Sequence, residues 1–224
     1  LLANYFYAPR KIPLLGIDMG GLGFLAGVSV DHIFQAAEEV IKGNFKIEKR
    51  MMLDCEINCQ GQPKRIDRAL NDVVIYRGPF AQMIHLSTFV DDDFLASFPA
   101  DGLIVATPTG SSAYSLSAGG PVVNPHLELF IITPICAHTL YARSIVAGCE
   151  SSIKVKLESV KEGTMVTLDG QRGYALKSGD FITVKQSSLW SHMLQLPQQR
   201  PFYSLLRSKL SWGMDIRKRI EEEC

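Results

Sequence analysis

A loop rich in hydroxyl groups is the part of this sequence that is best suited to bind a ligand. It follows the apolar run Leu103–Ala106 and contains two threonines, four serines and Gly110 within residues 107–117. Hydroxyls, together with backbone N–H groups that a glycine leaves exposed, can bind a polyanionic or sugar-bearing ligand. The ring of Tyr114 can stack on a base. The competing interpretation is an ordinary serine-rich surface loop, which composition alone favours as strongly.

A second polar candidate is the pair Asn71–Asp72, which comes directly before the apolar run Val73–Ile75. A carboxylate accepts hydrogen bonds from both hydroxyls of a ribose, and an amide side chain either donates or accepts. The pair therefore suits a sugar. The other interpretation is an Asx turn in front of a strand, and the pair by itself does not decide between the two.

Two glycine-containing turns complete the set of candidates. Asp169–Gly170 lies between strand-like runs and predicts a hairpin turn, from which Asp169 and Gln171 can contact a ligand at the rim of a sheet. Residues 16–24 contain four glycines, but their spacing is not the G-x-G-x-x-G of a dinucleotide fingerprint. That segment either packs beneath a nucleotide or forms a simple turn.

Several kinds of site and partner are excluded or disfavoured by the sequence. It has no G-x-x-x-x-G-K-[ST] and no G-x-S-x-G motif, which excludes a P-loop kinase and a nucleophile elbow. The five histidines are scattered and the five cysteines predict reduced thiols, so no metal-ligating residues are assigned. The balance of 23 Lys+Arg against 23 Asp+Glu argues against a nucleic-acid partner. No apolar run approaches the roughly 18 residues of a membrane span, and we expect a cytoplasmic location.

The periodicity of apolar residues predicts the elements that must position these groups. Helical spacing over residues 30–42 and 202–212 predicts two helices, and residues 1–12 are typical of the end of another. The apolar run Ile12–Ile17 predicts a buried parallel strand. Period-two or continuous apolar runs predict further strands at residues 45–48, 73–76, 83–90, 103–106, 153–158, 165–168 and 181–184.

We therefore expect an α+β protein with three parts. Residues 1–43 form part of an N-terminal α/β domain, residues 44–186 form a β-sandwich domain, and residues 187–224 form a C-terminal extension with a helix. One strand and two helices cannot complete an α/β domain, so its other strands are expected upstream of Leu1, which is not a methionine.

Taken in their order along the chain, the four candidate segments described above resemble segments of the NAD kinase family, and the resemblance covers nearly the whole chain. Residues 101–121, DGLIVATPTGSSAYSLSAGGP, are close to the family's D-G-L-I-x-x-T-P-T-G-S-T-A-Y-S-x-S-x-G-G-P. Asn71–Asp72 matches the family's Asn-Glu/Asp motif, and residues 18–25 match its N-x-G-x-L-G-F-L with Asp18 in place of Asn. Residues 169–171 and 206–213 fit the later blocks.

The resemblance implies a kinase that transfers the γ-phosphate of ATP, or of polyphosphate in some members, to the 2′-hydroxyl of the adenosine ribose of NAD, which gives NADP. It implies a divalent metal, usually Mg²⁺, and a homodimer or homotetramer. In such enzymes the dinucleotide lies between a Rossmann-like α/β domain and the β-sandwich, so residues 44–186 become the dinucleotide-binding domain.

The resemblance also implies roles for individual residues. Asn71 and Asp72 bind ribose hydroxyls, while Ser112, Ala113 and Tyr114 contact and stack the adenine. The other residues that it assigns to the pocket or its edge, in part from a neighbouring subunit, are Phe24, Asp101, Thr109, Ser115, Leu116, Ser117, Asp169 and Gln171.

Two departures from the family pattern bear on activity. The family's G-G-D-G motif, whose aspartate is taken as the general base, is expected just upstream of Leu1 and is absent from the 224 residues. We therefore expect little or no phosphoryl transfer by this chain itself. Gln82 and Pro99 replace residues that are often basic, so phosphate contacts are not assigned. The alternative function is that of a truncated, non-catalytic NAD- or NADP-binding protein.

Overall fold

Alternating apolar and polar residues make β-strands the main regular structure of this chain. The structure is a computed structural model that describes residues 1–20, 24–78, 82–160 and 162–212. The strands of these residues are β1 (Ile17–Asp18), β2 (Val28–Ser29), β3 (Lys46–Asn58), β4 (Arg65–Ala69), β5 (Asp72–Tyr76), β6 (Ile84–Val90), β7 (Asp93–Ala100), β8 (Gly102–Ala106), β9 (Leu129–Ile135), β10 (Ile145–Gly148), β11 (Ile153–Ser159), β12 (Met165–Leu168), β13 (Arg172–Ala175) and β14 (Phe181–Gln195).

The helices of the described residues are short. They are α1 (Leu2–Tyr7), α2 (Ile33–Ile41), α3 (Tyr114–Ser117) and α4 (Phe202–Leu210), with 3₁₀ turns at Ala8–Arg10, Val30–His32 and Thr109–Ser112. Helices α2 and α4 confirm the predictions over residues 30–42 and 202–212. None of these helices is long and apolar enough to cross a membrane.

Twelve of the strands form two six-stranded sheets. The order is β10-β9-β8-β5-β12-β13 in the first sheet and β4-β3-β14-β11-β6-β7 in the second. The core contains side chains from both sheets, such as Val73 and Val105 from the first and Leu86 and Val155 from the second. Burial of both inner faces against each other makes this part of the chain a β-sandwich, as the sequence predicts.

The chain divides into two compact units. The first comprises Leu1–Leu14 and Lys49–Met193 and contains most of the sandwich. The second comprises the described residues of 15–48 and 194–224. In it, β1 pairs in parallel with β2, and Val28, Ala36 and Leu196 form a small core. The predicted division at residues 43 and 186 stays a prediction, although β14 continues past residue 186 to Gln195.

The predicted strand Ile12–Ile17 is wrong in extent. The observed strand β1 contains only Ile17 and Asp18, and Leu14 forms an isolated bridge with Met193. Pro13 lacks the N–H group that a strand ladder requires, which accounts for the interruption. The end of the predicted C-terminal extension, residues 213–224, lies outside the described residues.

The sequence patterns do not predict strands β4, β7, β9, β10 and β13. Two of them contain prolines, Pro99 in β7 and Pro134 in β9, which argue against a strand. Both prolines lie where the ladder tolerates them: β7 is an edge strand, and β10 pairs with β9 only from Leu129 to Ile132.

Candidate functional site

A cavity of about 510 Å³ opens on the outer face of the first sheet. Strand β5 creates this position by alternation: Val73 and Ile75 face the core, whereas Asp72, Val74 and Tyr76 face the cavity. Its volume lies within the range of small-molecule sites. The residues that line it are Leu1, Asn71, Asp72, Val74, Tyr76, Ala113, Tyr114, Thr167, Asp169 and Gly170.

The hydroxyl-rich loop is fixed against the start of β5 by backbone contacts. The N–H of Thr107 donates to the carbonyl of Asn71 (2.9 Å), and its hydroxyl donates to the carbonyl of Leu70 (2.6 Å). The N–H of Gly110 in turn donates to the Thr107 hydroxyl (3.1 Å). A Cβ at Gly110 would lie 2.1 Å from the Asn71 carbonyl oxygen. Only glycine allows this close approach, which brings Asn71 next to the loop.

The Asp169 carboxylate organises the backbone on the other side of Asn71. It accepts hydrogen bonds from the N–H groups of Leu70 (3.0 Å), Asn71 (2.7 Å) and Asp72 (3.3 Å). Asp169 has a φ of 53° and Gly170 a φ of 64°, which confirms the predicted turn between β12 and β13. The side chain of Asp169 therefore shapes the pocket from a hairpin tip by fixing the Asn71–Asp72 segment.

The carboxyl groups of Asp72 and Asp169 both line this pocket, and burial raises the pKa of each. Burial, followed by repulsion from Asp169, raises the pKa of Asp72 to about 7. Burial also raises the pKa of Asp169, although the three N–H groups that it accepts favour its ionised form. Asp72 thus changes charge near neutral pH, which is typical of functional sites.

Unpartnered polar atoms mark where a ligand can form hydrogen bonds. Among the described residues, the Asn71 Oδ1 atom and the Thr109 hydroxyl are buried without a hydrogen-bond partner. Buried polar atoms of folded proteins are paired in the great majority of cases. Since Asn71 lines the cavity, a bound hydroxyl or N–H group is the natural partner of its side-chain oxygen.

The structure brings five of the predicted site residues together in one cavity, namely Asn71, Asp72, Ala113, Tyr114 and Asp169. The Tyr114 side chain is half exposed, at 46%, so its ring is available for stacking.

Four other predicted residues are not among those that line the cavity. The buried hydroxyl of Ser115 lies 3.0 Å from that of Thr133, and the Ser112 hydroxyl donates to the carbonyl of Thr109 (3.4 Å). Leu116 is partly buried, Ser117 is exposed, and neither lines the cavity.

Three further predicted residues are also not among those that line the cavity. Strand β8 pairs with Asp72 at its far end, through Ala106, whereas Asp101 directly precedes the start of the strand. The Asp101 carboxylate accepts a hydrogen bond from the Arg77 Nε (2.5 Å). Gln171 is exposed at the β12–β13 turn. Phe24 belongs to the second unit, where its ring centroid is 6.5 Å from that of Phe202.

Sequence reasoning missed the apolar floor of the cavity. Val74, Tyr76 and Thr167 form it, and Thr167 pairs with Val74 across β5 and β12. The signal was present in part, because alternation from Asp72 places Val74 and Tyr76 on the same face. The pairing of β12 with β5 was not visible in the sequence.

The described residues contain no group of three His, Cys, Asp or Glu side chains that could bind a metal ion. A dedicated metal cage is therefore absent from that part of the chain.

Fold and site together define a β-sandwich protein with a polar small-molecule pocket on one sheet, and comparison with known proteins identifies its family. The family model of the ATP-NAD kinase C-terminal domain matches residues 70–196. This stretch includes both the hydroxyl-rich loop and the Asp169 hairpin. The chain belongs to the NAD kinase family.

Individual relatives agree with this assignment. The chain is 41% identical over 210 residues to an NAD kinase of Natranaerobius thermophilus, covering 94% of this chain and 73% of that protein. It is 46% identical over 199 residues to an NAD kinase of Acetivibrio thermocellus, covering 88% and 68%.

Solved structures show the same likeness. A yeast NADH kinase in complex with NADH matches with a TM-score of 0.85 and 30% identity, over 92% of this chain and 60% of that one. An NAD kinase from Archaeoglobus fulgidus in complex with ATP matches with a TM-score of 0.74 and 29% identity, over 90% and 75%.

Proposed function

We propose that this chain supplies the dinucleotide pocket of an NAD kinase, which phosphorylates the 2′-hydroxyl of the adenosine ribose of NAD with ATP to give NADP. The observation that carries the proposal is the juxtaposition of the unpartnered Asn71 Oδ1 with the Asp72 carboxylate in one cavity. Complexes of similar proteins with NADH and with ATP support the same ligands.

The chemistry of the pocket fits a ribose. The Asn71 oxygen accepts a hydrogen bond from one hydroxyl, and the Asp72 carboxylate accepts from its neighbour. The half-exposed Tyr114 ring stacks on the adenine. The apolar floor of Val74 and Tyr76 excludes water beneath the sugar and strengthens these hydrogen bonds.

The metal and the phosphoryl donor belong to the same proposal. Asp72 lies in the cavity and would be the candidate protein ligand of a Mg²⁺ ion bound to the phosphates of ATP, whose negative charge the ion would neutralise. Whether polyphosphate replaces ATP, the homodimeric or homotetrameric state and the cytoplasmic location stay predictions.

Calorimetric titration of the 224-residue chain with NAD tests the pocket. We expect Asn71→Ala combined with Asp72→Ala to weaken NAD binding at least tenfold, because both ribose contacts disappear. Asp93→Ala is the control, since this exposed carboxylate lies at the start of β7. Equal affinity of the double variant and the parent would contradict the ribose assignment.

A second candidate function, dinucleotide binding without catalysis, follows from the absence of a Gly-Gly-Asp-Gly motif in the 224 residues. Without that carboxylate, the 2′-hydroxyl has no assigned general base. We expect the 224-residue chain to bind NAD but to form little or no NADP with ATP and Mg²⁺, measured with an NADP-specific coupled assay. Substantial NADP formation by the purified chain would refute this expectation.

A further inference from the structure

A second cavity, of about 350 Å³, lies at the open side of the β-sandwich. Strand β7 is the edge of the second sheet and β10 the edge of the first, so no strand of the described residues closes the gap between them. Leu103 and Ile132 line this cavity from the core face of the first sheet. The pocket described above opens on the outer face of that sheet, so the two sites are separate.

The walls of this cavity are mainly apolar. They consist of side chains from both sheets and from the segment between β9 and β10, together with a few polar residues. The residues are Thr88, Leu95, Ala96, Ser97, Phe98, Pro99, Leu103, Ile132, Pro134, Thr139, Tyr141, Ala142, Arg143 and Ile145.

One buried hydroxyl on this wall has no partner. Thr88 follows Ile84 and Leu86 on the inward face of β6 and is only 1% exposed. Its hydroxyl forms no hydrogen bond within the part of the chain that the structure describes. The neighbouring Ser97 differs, because its hydroxyl accepts from that of Ser87 (3.2 Å). An unpaired hydroxyl in an apolar wall is available to pair with a polar group of a ligand.

The mouth of the cavity carries a positive charge. Arg143 is exposed, and its Nη1 donates to the carbonyl of Ala142 (2.7 Å). A guanidinium has five N–H donors, so further donors remain to bind an anionic group there.

We propose that this cavity binds a small aromatic carboxylate whose far end bears a hydroxyl or another hydrogen-bonding oxygen. The ring system fills the apolar space between the sheets, the oxygen pairs with the Thr88 hydroxyl, and the carboxylate pairs with Arg143. An engineered apolar cavity of about 150 Å³ binds one benzene ring, so 350 Å³ accommodates two fused rings. This proposal does not rest on the proposed kinase function.

The test uses 6-hydroxy-2-naphthoate as the probe, with 2-naphthoate as its analogue without the hydroxyl. Both are titrated into the 224-residue chain, and binding is followed by calorimetry. We expect Thr88→Val to weaken the binding of 6-hydroxy-2-naphthoate about fivefold and to leave the affinity for 2-naphthoate unchanged. Arg143→Gln should weaken both probes by a similar factor, and Ala96→Phe should abolish binding by filling the cavity.

Thermal unfolding separates these effects from misfolding. Thr88→Val should unfold at the same or a higher temperature than the parent, because the hydroxyl it removes is unpaired. The proposal is overturned if neither probe binds at millimolar concentration, or if Thr88→Val weakens both probes equally. A third result also overturns the proposal: the chain self-associates, Ala96→Phe dissociates the assembly, and neither probe binds. The cavity is then occupied by a second copy of the chain.

Discussion

Replacement of Asp72 by asparagine should stabilise this protein above pH 7 and leave its stability nearly unchanged at pH 4. The pKa of Asp72 is raised from 3.8 to about 7, chiefly by burial and then by the nearby Asp169. A carboxyl group whose pKa is higher in the folded state binds its proton more tightly there. Its contribution to stability is therefore complete below pH 3.8 and is lost as the pH rises through 7.

The size of the effect follows from the shift. Each pKa unit corresponds to about 1.36 kcal/mol, so a shift of about three units makes ionisation of Asp72 cost the folded state about 4 kcal/mol at pH 8. Asparagine has nearly the same shape and carries no charge. The Asp72→Asn variant should recover up to about 4 kcal/mol in free energy of unfolding at pH 8.

Urea unfolding of both chains at pH 4 and pH 8 measures this difference. Asp93→Asn, at an exposed position at the start of β7, is the control and should leave the pH dependence unchanged. Under the proposed function, Asp72→Asn should also weaken NAD binding, because the amide loses one acceptor oxygen. A difference in stability that is the same at both pH values, or a less stable variant at pH 8, would refute the reasoning.

Three further changes test the architecture of the pocket. Gly110→Ala should destabilise the fold by about 1–3 kcal/mol because the new methyl group overpacks a backbone contact, whereas Gly148→Ala, with open space around it, should be tolerated; thermal unfolding compares the two. Asp169→Asn should lower the pKa of Asp72 partway towards 3.8, because the repulsion from Asp169 disappears while the burial of Asp72 remains. Carboxyl ¹³C NMR titration measures the pKa of Asp72, and an unchanged value would contradict the repulsion between the two carboxylates. Arg172→Lys should cost about 1–2 kcal/mol, because a lysine cannot reproduce the planar contacts of arginine; urea unfolding equal to the parent would show that these contacts contribute nothing.

Arg172 belongs to a partly buried cluster around Asp67. The Arg172 Nε lies 3.0 Å from Asp67 Oδ2, and its guanidinium lies 4.0 Å from the centroid of the Tyr5 ring. Tyr174 also donates to Asp67 (2.8 Å). These contacts attach α1, which begins directly after the pocket-lining Leu1, to strands β4 and β13.

Most regular elements of this protein could be predicted from local patterns. The strands predicted at residues 83–90 and 153–158 correspond to β6 and β11, and Asp91 and Asp92 form the turn into β7. Strand period and turn chemistry depend on residues that are close in sequence, so a single sequence contains that information. The motif of residues 101–121 likewise sufficed to indicate the family.

Long-range pairing could not be predicted. Ser115 belongs to the same motif as Tyr114, yet its hydroxyl pairs with Thr133 inside the fold while Tyr114 lines the cavity. Asp101 belongs to it too, but strand β8 carries it to the end away from Asp72. A sequence motif shows which residues are close along the chain. The direction and pairing of the strands decide which of these residues line the same cavity.

The sequence by itself determined the family, many of the helices and strands, and the chemical types of the pocket residues, because periodicity and motifs are local properties. The tertiary structure decided which groups act together. Asp169 reaches the backbone of Leu70 across 99 residues of chain, and β12 places Thr167 beside Val74. Burial then raised the pKa of Asp72, since desolvation and the approach of a second carboxylate exist only once the chain is folded.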